Sequence, residues 1–292
     1  MASKYFKYLM IVPALIILAM VTFYPMINSF WISLHEWDLT TSNKIEQFIG
    51  LDNYIRAFKD PIFWNSVKVT LIFTLATVFI TIALAILIGL LLSRDKKYLS
   101  FIRAILIIPF ALSPALVGYS WKFMLNPDYG VFDKIIGTIF PPLDHIVWLG
   151  NPMTALFALV SVAVWIWLPF MSLMFISGIM GLPEEVYEAA RMDGANYIQI
   201  FFKITLPLLR PIILLATILM TMFALKQFDP IVTMTSGGPG NSTEVLNFLV
   251  YQTSFRYFEM GYGAALGYIL AIITIIFVMI YMRKLVKGDE WS

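Results

Sequence analysis

The stretch Pro183–Pro211, PEEVYEAARMDGANYIQIFFKITLPLLRP, is a charged interruption in a chain that is 60% hydrophobic and only 13% charged. Pro183 suits a first helical position, Glu184 and Glu185 suit the positive end of a helix dipole, and Val186, Ala189, Ala190 and Ala195 give small apolar contacts over the next turns. Gly194 then permits a turn that a side chain would obstruct. Tyr197, Ile200, Phe201 and Ile204 recur at three- and four-residue spacing on a second helix that is expected to stop at Pro207. The result is a helix-turn-helix whose apolar face has no partner in its own loop. Such an element lies on lipid or fits a groove on another protein. Surface-lying helices are usually rich in Lys and Arg on their polar faces, whereas this first helix is acidic, so its charge favours the groove.

The rest of the chain says where that element sits. With 292 residues, mean hydropathy +0.82, 16% aromatic residues and a net charge of +2, the sequence belongs in a bilayer. About 20 apolar residues cross a hydrocarbon core of about 30 Å. Six charge-poor runs meet that length: Tyr8 to Phe30, Val69 to Leu92, Ala104 to Trp121, Thr154 to Met180, Pro211 to Leu225 with its flanks, and Gly263 to Met282. The expected fold is all-α and polytopic, one membrane domain over 1–292. The first run follows Lys4 and Lys7 but is too long for a signal-peptide core and lacks a small-residue cleavage site, so it reads as an uncleaved helix.

Lys and Arg set the orientation. With the N-terminus inside, the inner segments hold Lys4, Lys7, Arg94, Lys96, Lys97, Arg103, Arg191, Lys203, Arg210, Arg283, Lys284 and Lys287, most of the 20 basic residues in fewer positions than the outer segments occupy. Both termini and the opening stretch then face the cytoplasm. Trp and Tyr cluster in two outer loops, as an interfacial belt requires.

Chemistry of the chain's own is hard to find. All 18 Asp and Glu lie outside the six runs, which disfavours an ion-coupled secondary carrier, although unwound backbone can bind Na⁺ without a carboxylate. Lys122 and Lys226 sit at span ends, where snorkelling accounts for them. His35 and His145 read as solvated loop residues with no metal-ligand spacing, and zero cysteines exclude disulfides, thiolate sites and Cys nucleophiles. TSGGPGNST, from Thr235 to Thr243, is glycine-rich but lacks the Lys-Ser/Thr of a phosphate loop. No catalytic residue, metal site, nucleotide site or nucleic-acid footprint is expected, so the energy source lies elsewhere.

Glu188-Ala189-Ala190, three residues, Gly194, nine residues, Ile204, one residue, Leu206-Pro207 resembles in full the EAA motif of permease subunits in binding-protein-dependent ABC importers. The resemblance implies a type I permease fold in which this loop is a coupling helix seated in a cleft of a cytosolic ATPase. Glu188, Ala189, Ala190, Gly194, Ile204, Leu206 and Pro207 would then carry the ATPase coupling. FIGLDNYIRAF from Phe48, WKFMLNPDYG from Trp121 and MTSGGPGNST from Met234 resemble the carbohydrate-uptake (MalF/UgpA-like) type, without the large periplasmic insert or extra N-terminal helices of the maltose subunit.

What the resemblance implies is an ATP-driven sugar importer in a prokaryotic cell membrane. Its partners would be a second homologous permease, two cytosolic ATPase chains that hold the ATP and Mg, and an extracellular solute-binding protein that docks near Asp229 and the Ser236–Gly240 loop. Permeases for polyamine or phosphate would share the EAA element but not the sugar-type loops. A sugar site needs aromatic faces and amides, and in the family it lies mainly on the fourth and fifth spans. Trp167 and Phe170 share a face of the fourth, Phe223 and Gln227 a face of the fifth. These four are the expected substrate-binding residues, with Met220, Thr221 and Met222 as packing.

Overall fold

The computed structural model describes residues 2–94, 96–139 and 146–288. His145 lies outside them, as do the side chains of Lys4, Lys7, Lys284 and Lys287. Among the described residues there is no strand, only two isolated bridges, His35 with Phe48 and Asp38 with Glu259.

In chain order the helices are α1 (Ala2–Leu18), α2 (Tyr24–Ser33), α3 (Asp52–Lys59), α4 (Pro61–Leu92), α5 (Lys97–Leu106), α6 (Ile108–Ala111), α7 (Pro114–Met124), α8 (Val131–Ile139) and α9 (Pro152–Met180). They continue with α10 (Glu184–Met192), α11 (Tyr197–Ile200), α12 (Leu206–Leu208), α13 (Arg210–Leu225), α14 (Leu246–Phe255) and α15 (Met260–Gly288). Among the described residues four helices without a sharp bend are long and apolar enough to span: Met10–Ser33, Pro61–Leu92, Pro152–Met180 and Met260–Arg283. The remaining two of the six expected spans are bent pairs, Lys97–Ala111 with Pro114–Met124 at 93° and Tyr197–Leu208 with Arg210–Leu225 at 66°.

Prolines dictate the breaks. In the third run Pro114 forces Ser113 into extended backbone (φ −61°, ψ 125°), so the helix that Ala104 to Trp121 promised is cut at Leu112–Ser113. In the fifth, the helix runs on through Pro207 to Leu208 instead of stopping there. A π-turn over Phe201–Thr205 makes this possible, because its wider spacing moves the carbonyls away from the pyrrolidine ring. The same device precedes Pro25, where Ala19–Phe23 is a π-turn between α1 and α2.

Nearby side chains satisfy both ends of α4 and the start of α9. The Asp60 side chain accepts from the Ile62 amide at the start of α4 at 2.8 Å, with Pro61 in the first helical position. At the other end of α4, the Arg103 guanidinium donates to the carbonyl oxygens of Leu92 (2.9 Å from Nε) and Arg94 (2.8 Å), groups the helix itself leaves open. Asn151 caps α9 by accepting from the Met153 amide at 3.0 Å.

The chain forms two compact units. One comprises the N-terminal part through Trp64 together with Leu249–Ile272. Its centre is polar: Asn53 Nδ2 donates to the carbonyls of Ser33 and His35, each at 3.0 Å. His35, expected as a solvated loop residue, is buried instead. Its Nδ1 lies 2.7 Å from the Trp31 carbonyl, and Trp31 and Phe48 cover its ring at 4.6 and 5.2 Å. An imidazole with a backbone partner and two aromatic walls is cheaper to bury than its ionisable character suggests.

The other unit comprises Asn65–Phe248 and the C-terminal part from Ile273. Of the four spans without a sharp bend, α9 is the most enclosed, with Phe175 and Met171 fully buried on it. Close packing here uses small residues, as hydrocarbon-embedded helices must. A side chain at Gly118 on α7 would meet Thr233 Oγ1 at 2.0 Å and the Pro230 backbone at 3.1 Å. Lys122 and Lys226 are exposed at the ends of α7 and α13.

Candidate functional site

Two constellations stand out, both within the larger unit. The first is aromatic. Trp167 of α9 and Phe223 of α13 stack with ring centroids 4.1 Å apart and planes 8° from parallel. Phe170, one turn from Trp167, meets Phe223 edge-on at 6.3 Å. The Trp167 indole Nε1 donates to Gln227 Oε1 at 3.2 Å, and Gln227 is 6% exposed. The fold thus brings together all four residues singled out on the fourth and fifth spans.

A fifth member, Phe110, was not anticipated. It stacks on Phe170 at 5.2 Å (16° between planes) and meets the Trp167 ring at 5.8 Å. Phe110 sits on α6, directly before the 93° break. The signal was in the sequence: Pro109 and Pro114 bracket FALS, and helices interrupted within a membrane bundle are where transporters build their solute sites. Flat apolar faces with one indole N–H and one amide suit a hydroxylated ring that is apolar above and below and polar at its edge. Met220 and Thr221 are buried, and Thr221 returns a hydrogen bond to the Thr217 carbonyl at 2.7 Å, in keeping with packing.

The second constellation is the α10–α11 turn. α10 ends in a Schellman arrangement: the Gly194 amide donates to Arg191 O at 3.1 Å and the Ala195 amide to Ala190 O at 3.0 Å. Gly194 adopts φ +77°, which makes glycine the residue of choice. Asn196 then opens α11 with a reciprocal box, its side chain accepting from the Gln199 amide while Gln199 Oε1 accepts from the Asn196 amide, each at 2.9 Å. The Tyr187 hydroxyl bonds Thr205 Oγ1 at 3.0 Å, tying α10 to the π-turn beyond α11.

Of the motif residues, Glu188 and Ala189 face outward, Ala190 is buried, Ile204 and Leu206 are half-buried, and Pro207 is exposed. Around the turn Met192 is 88% and Tyr197 91% exposed, with Ile198 and Phe202 exposed beside them. This is a bare apolar surface on an element whose turn is fixed by the Schellman arrangement and the Asn196–Gln199 box.

Arg56 of α3 pairs with Glu259 and lies 4.1 Å over the Tyr262 ring. Burial works to lower its pKa, but the Glu259 carboxylate outweighs that and holds it above the ordinary value. Among the described residues no group of three or more His, Cys, Asp or Glu could hold a metal ion. The glycine-rich loop is folded rather than open: Thr243 Oγ1 donates to the Gly238 carbonyl at 2.7 Å, and Asn65 Nδ2 to the Asn241 carbonyl at 2.8 Å.

Residues 81–288 match the family described as binding-protein-dependent transport system inner membrane component. The chain belongs to that family. It is 36% identical over 279 residues to the trehalose/maltose transport system permease protein MalF of Thermococcus litoralis, covering 94% of this chain and 92% of the relative. It is 34% identical over 285 residues to the sulfoquinovosyl glycerol transport system permease protein SmoG of Agrobacterium fabrum, covering 96% and 90%. Its fold matches a chain of the bacterial alginate ABC transporter solved in complex with an alginate pentasaccharide-bound periplasmic protein (TM-score 0.82, 22% identity, 96% and 93% covered). As a family member this is a multi-pass membrane component of a transporter, not an enzyme.

Proposed function

We propose that this permease passes a sugar or oligosaccharide across the membrane, and that its solute site is the Phe110, Trp167, Phe170, Phe223 and Gln227 cluster. The stacked Trp167–Phe223 pair, joined to Gln227, carries the reading, since the two rings, once parted, would offer pyranose faces beside an amide. The relatives named for trehalose/maltose and sulfoquinovosyl glycerol transport support a carbohydrate rather than polyamine or phosphate.

In this reading the whole chain acts as one transmembrane domain with both termini in the cytoplasm. It works beside a second, homologous permease. The α10–α11 turn seats in cytosolic ATPase subunits, which bind ATP and Mg, through Glu188, Ala189, Ala190, Gly194, Ile204, Leu206 and Pro207. A solute-binding protein delivers the sugar from outside, near Asp229 and the Ser236–Gly240 loop. Motion of the ATPases would rock the bundle about the aromatic site.

The test is uptake by proteoliposomes holding the complete complex. Labelled maltose or trehalose should accumulate only with ATP inside and the binding protein outside. Accumulation by this chain alone under an ion gradient would overturn the reading.

A further inference from the structure

One face of α4 is lined with hydroxyls. Ser66, Thr70, Thr74, Thr77 and Thr81 follow one another at spacings of four, four, three and four residues, which places them on a single seam about 22 Å long at 1.5 Å per residue. The seam points into the protein. Ser66, Thr77 and Thr81 are 0% exposed, Thr74 2% and Thr70 4%.

Its two ends are treated differently. At the start of α4, Ser66 Oγ faces the Glu244 carboxylate at 3.5 Å, and Thr70 donates to the Ser66 carbonyl at 2.6 Å while accepting from the Leu246 amide at 2.8 Å. Thr74, Thr77 and Thr81 have no hydrogen-bond partner for their Oγ1. Buried Ser172, Thr221 and Thr233, by contrast, each return their proton to the carbonyl four residues back. Thr74, Thr77 and Thr81 do not. Valine has nearly the same shape and carries no polar atom, so three orphaned hydroxyls deep in an apolar protein destabilise the conformation that holds them. The sequence around them shows that valine was available: Val67, Val69 and Val78 lie on the same helix.

A group that is costly in one conformation earns its place in another. We propose that the Thr74–Thr77–Thr81 seam is a latent wall of the solute pathway, sealed in this conformation and wetted when the bundle changes state. The inference rests on the importer reading above and adds a second surface to the aromatic site: hydroxyls that meet water and solute hydroxyls while the pathway is open. Burying them without partners also sets a bias against the sealed state, so the seam helps the pathway open.

The chain contains no cysteine, so single cysteines can be introduced without altering any other residue. A thiol kept in an apolar setting stays protonated and inert, whereas a wetted one ionises and reacts. Thr74→Cys, Thr77→Cys, Thr81→Cys and the neighbouring Val78→Cys would be placed singly in the complete complex in proteoliposomes. Each is treated with 2-aminoethyl methanethiosulfonate, nucleotide-free and with the ATPases trapped by vanadate. The seam cysteines should react at least tenfold faster in one state than in the other, and Val78→Cys slowly in both. Equal seam rates in the two states, in a complex that takes up sugar, would overturn the proposal.

A triple Thr74→Val, Thr77→Val, Thr81→Val variant keeps the test open if the cysteines disturb assembly. It should assemble as well as the parent and take up sugar about tenfold more slowly; parental uptake would equally overturn the proposal. Absence of ATP-driven uptake by the unaltered complex would remove the importer reading itself, and the seam's role with it.

Discussion

Trp167 and Phe223 lie face to face at 4.1 Å, which leaves no room for a sugar ring between them. Each ring occupies the surface that the other would offer to solute. Under the proposed function a sugar would have to part the two rings, by rotation of a side chain or by a shift of α9 against α13, and binding would then be linked to a change of conformation at this contact.

That linkage is readable by fluorescence. Sugar added to the assembled complex should alter emission from Trp167 as its partner leaves, and the change should vanish in Trp167→Phe, which removes one of 8 tryptophans. An aromatic pair contributes about 0.5–1.5 kcal/mol beyond its buried area, so Phe223→Leu should change apparent sugar affinity by roughly two- to tenfold. Gln227→Leu leaves the indole N–H without its acceptor, at about 1–3 kcal/mol, whereas Gln227→Glu keeps an acceptor there and should be milder. Unchanged emission and affinity throughout the series would remove the cluster as the solute site.

The same cluster shows how far a sequence can be read. Trp167 with Phe170, and Phe223 with Gln227, share helical faces, and a period of 3.6 residues suffices to group each pair. Phe110 escaped because Pro109 and Pro114 mark an interruption without saying which side chain of the short segment between them turns toward α9, and that is set by packing that no local pattern encodes. His35 escaped likewise: a polar residue in a loop reads as solvated until Trp31 and Phe48, 4 and 13 residues away, are seen to close over it. The six apolar runs and the α10–α11 turn were legible because each depends on neighbours in sequence. The π-turn before Pro207 was not, since a proline states that a helix is strained and not how the strain is relieved.

Gly194 gives a graded test of the turn. No atom lies within 4 Å of where its side chain would stand, so a substitution there meets only the backbone cost of φ +77°. For alanine that is about 1–2 kcal/mol. Asparagine tolerates the conformation better, and proline can neither adopt it nor keep the amide bond to Arg191. Sugar-stimulated ATP hydrolysis by the complex should fall in the order Gly, Asn, Ala, Pro at position 194. Full stimulation with proline would show that the turn does not transmit motion.

Asp38 offers a pH test outside the membrane. The Thr40 hydroxyl and then the Thr40 amide donate to Oδ1, at 2.6 and 2.8 Å, and together they hold its carboxyl below the ordinary value of 3.8. A depressed carboxylate pKa stabilises the loop at every pH above the unfolded value, and that contribution disappears as pH falls through the folded one. Thr40→Val removes the larger cause, so the Asp38 titration, followed by isotope-edited infrared absorption of the carboxylate, should move upward toward 3.8. An unmoved midpoint would mean that the hydroxyl bond is not formed in solution.

The Tyr187–Thr205 bond is a side-chain link between α10 and the π-turn that leads into the fifth span. If α10 is gripped by an ATPase, force reaches α13 either along the backbone through Gly194 or across this bond. Tyr187→Phe removes the phenol and leaves Thr205, 3% exposed, with an unpaired hydroxyl. The bond itself contributes about 0.5–1.5 kcal/mol and the orphaned group costs about 1–3 kcal/mol, so the single variant should lose more than the pair's net value. Thr205→Val removes the other partner in turn. In the double variant neither group is orphaned, and its stability should return to within about 1 kcal/mol of the parent. Transport should behave differently. If the bond carries motion, the double variant regains stability but still moves less sugar per ATP hydrolysed, and measuring both quantities on the same preparations separates a structural brace from a transmitting one.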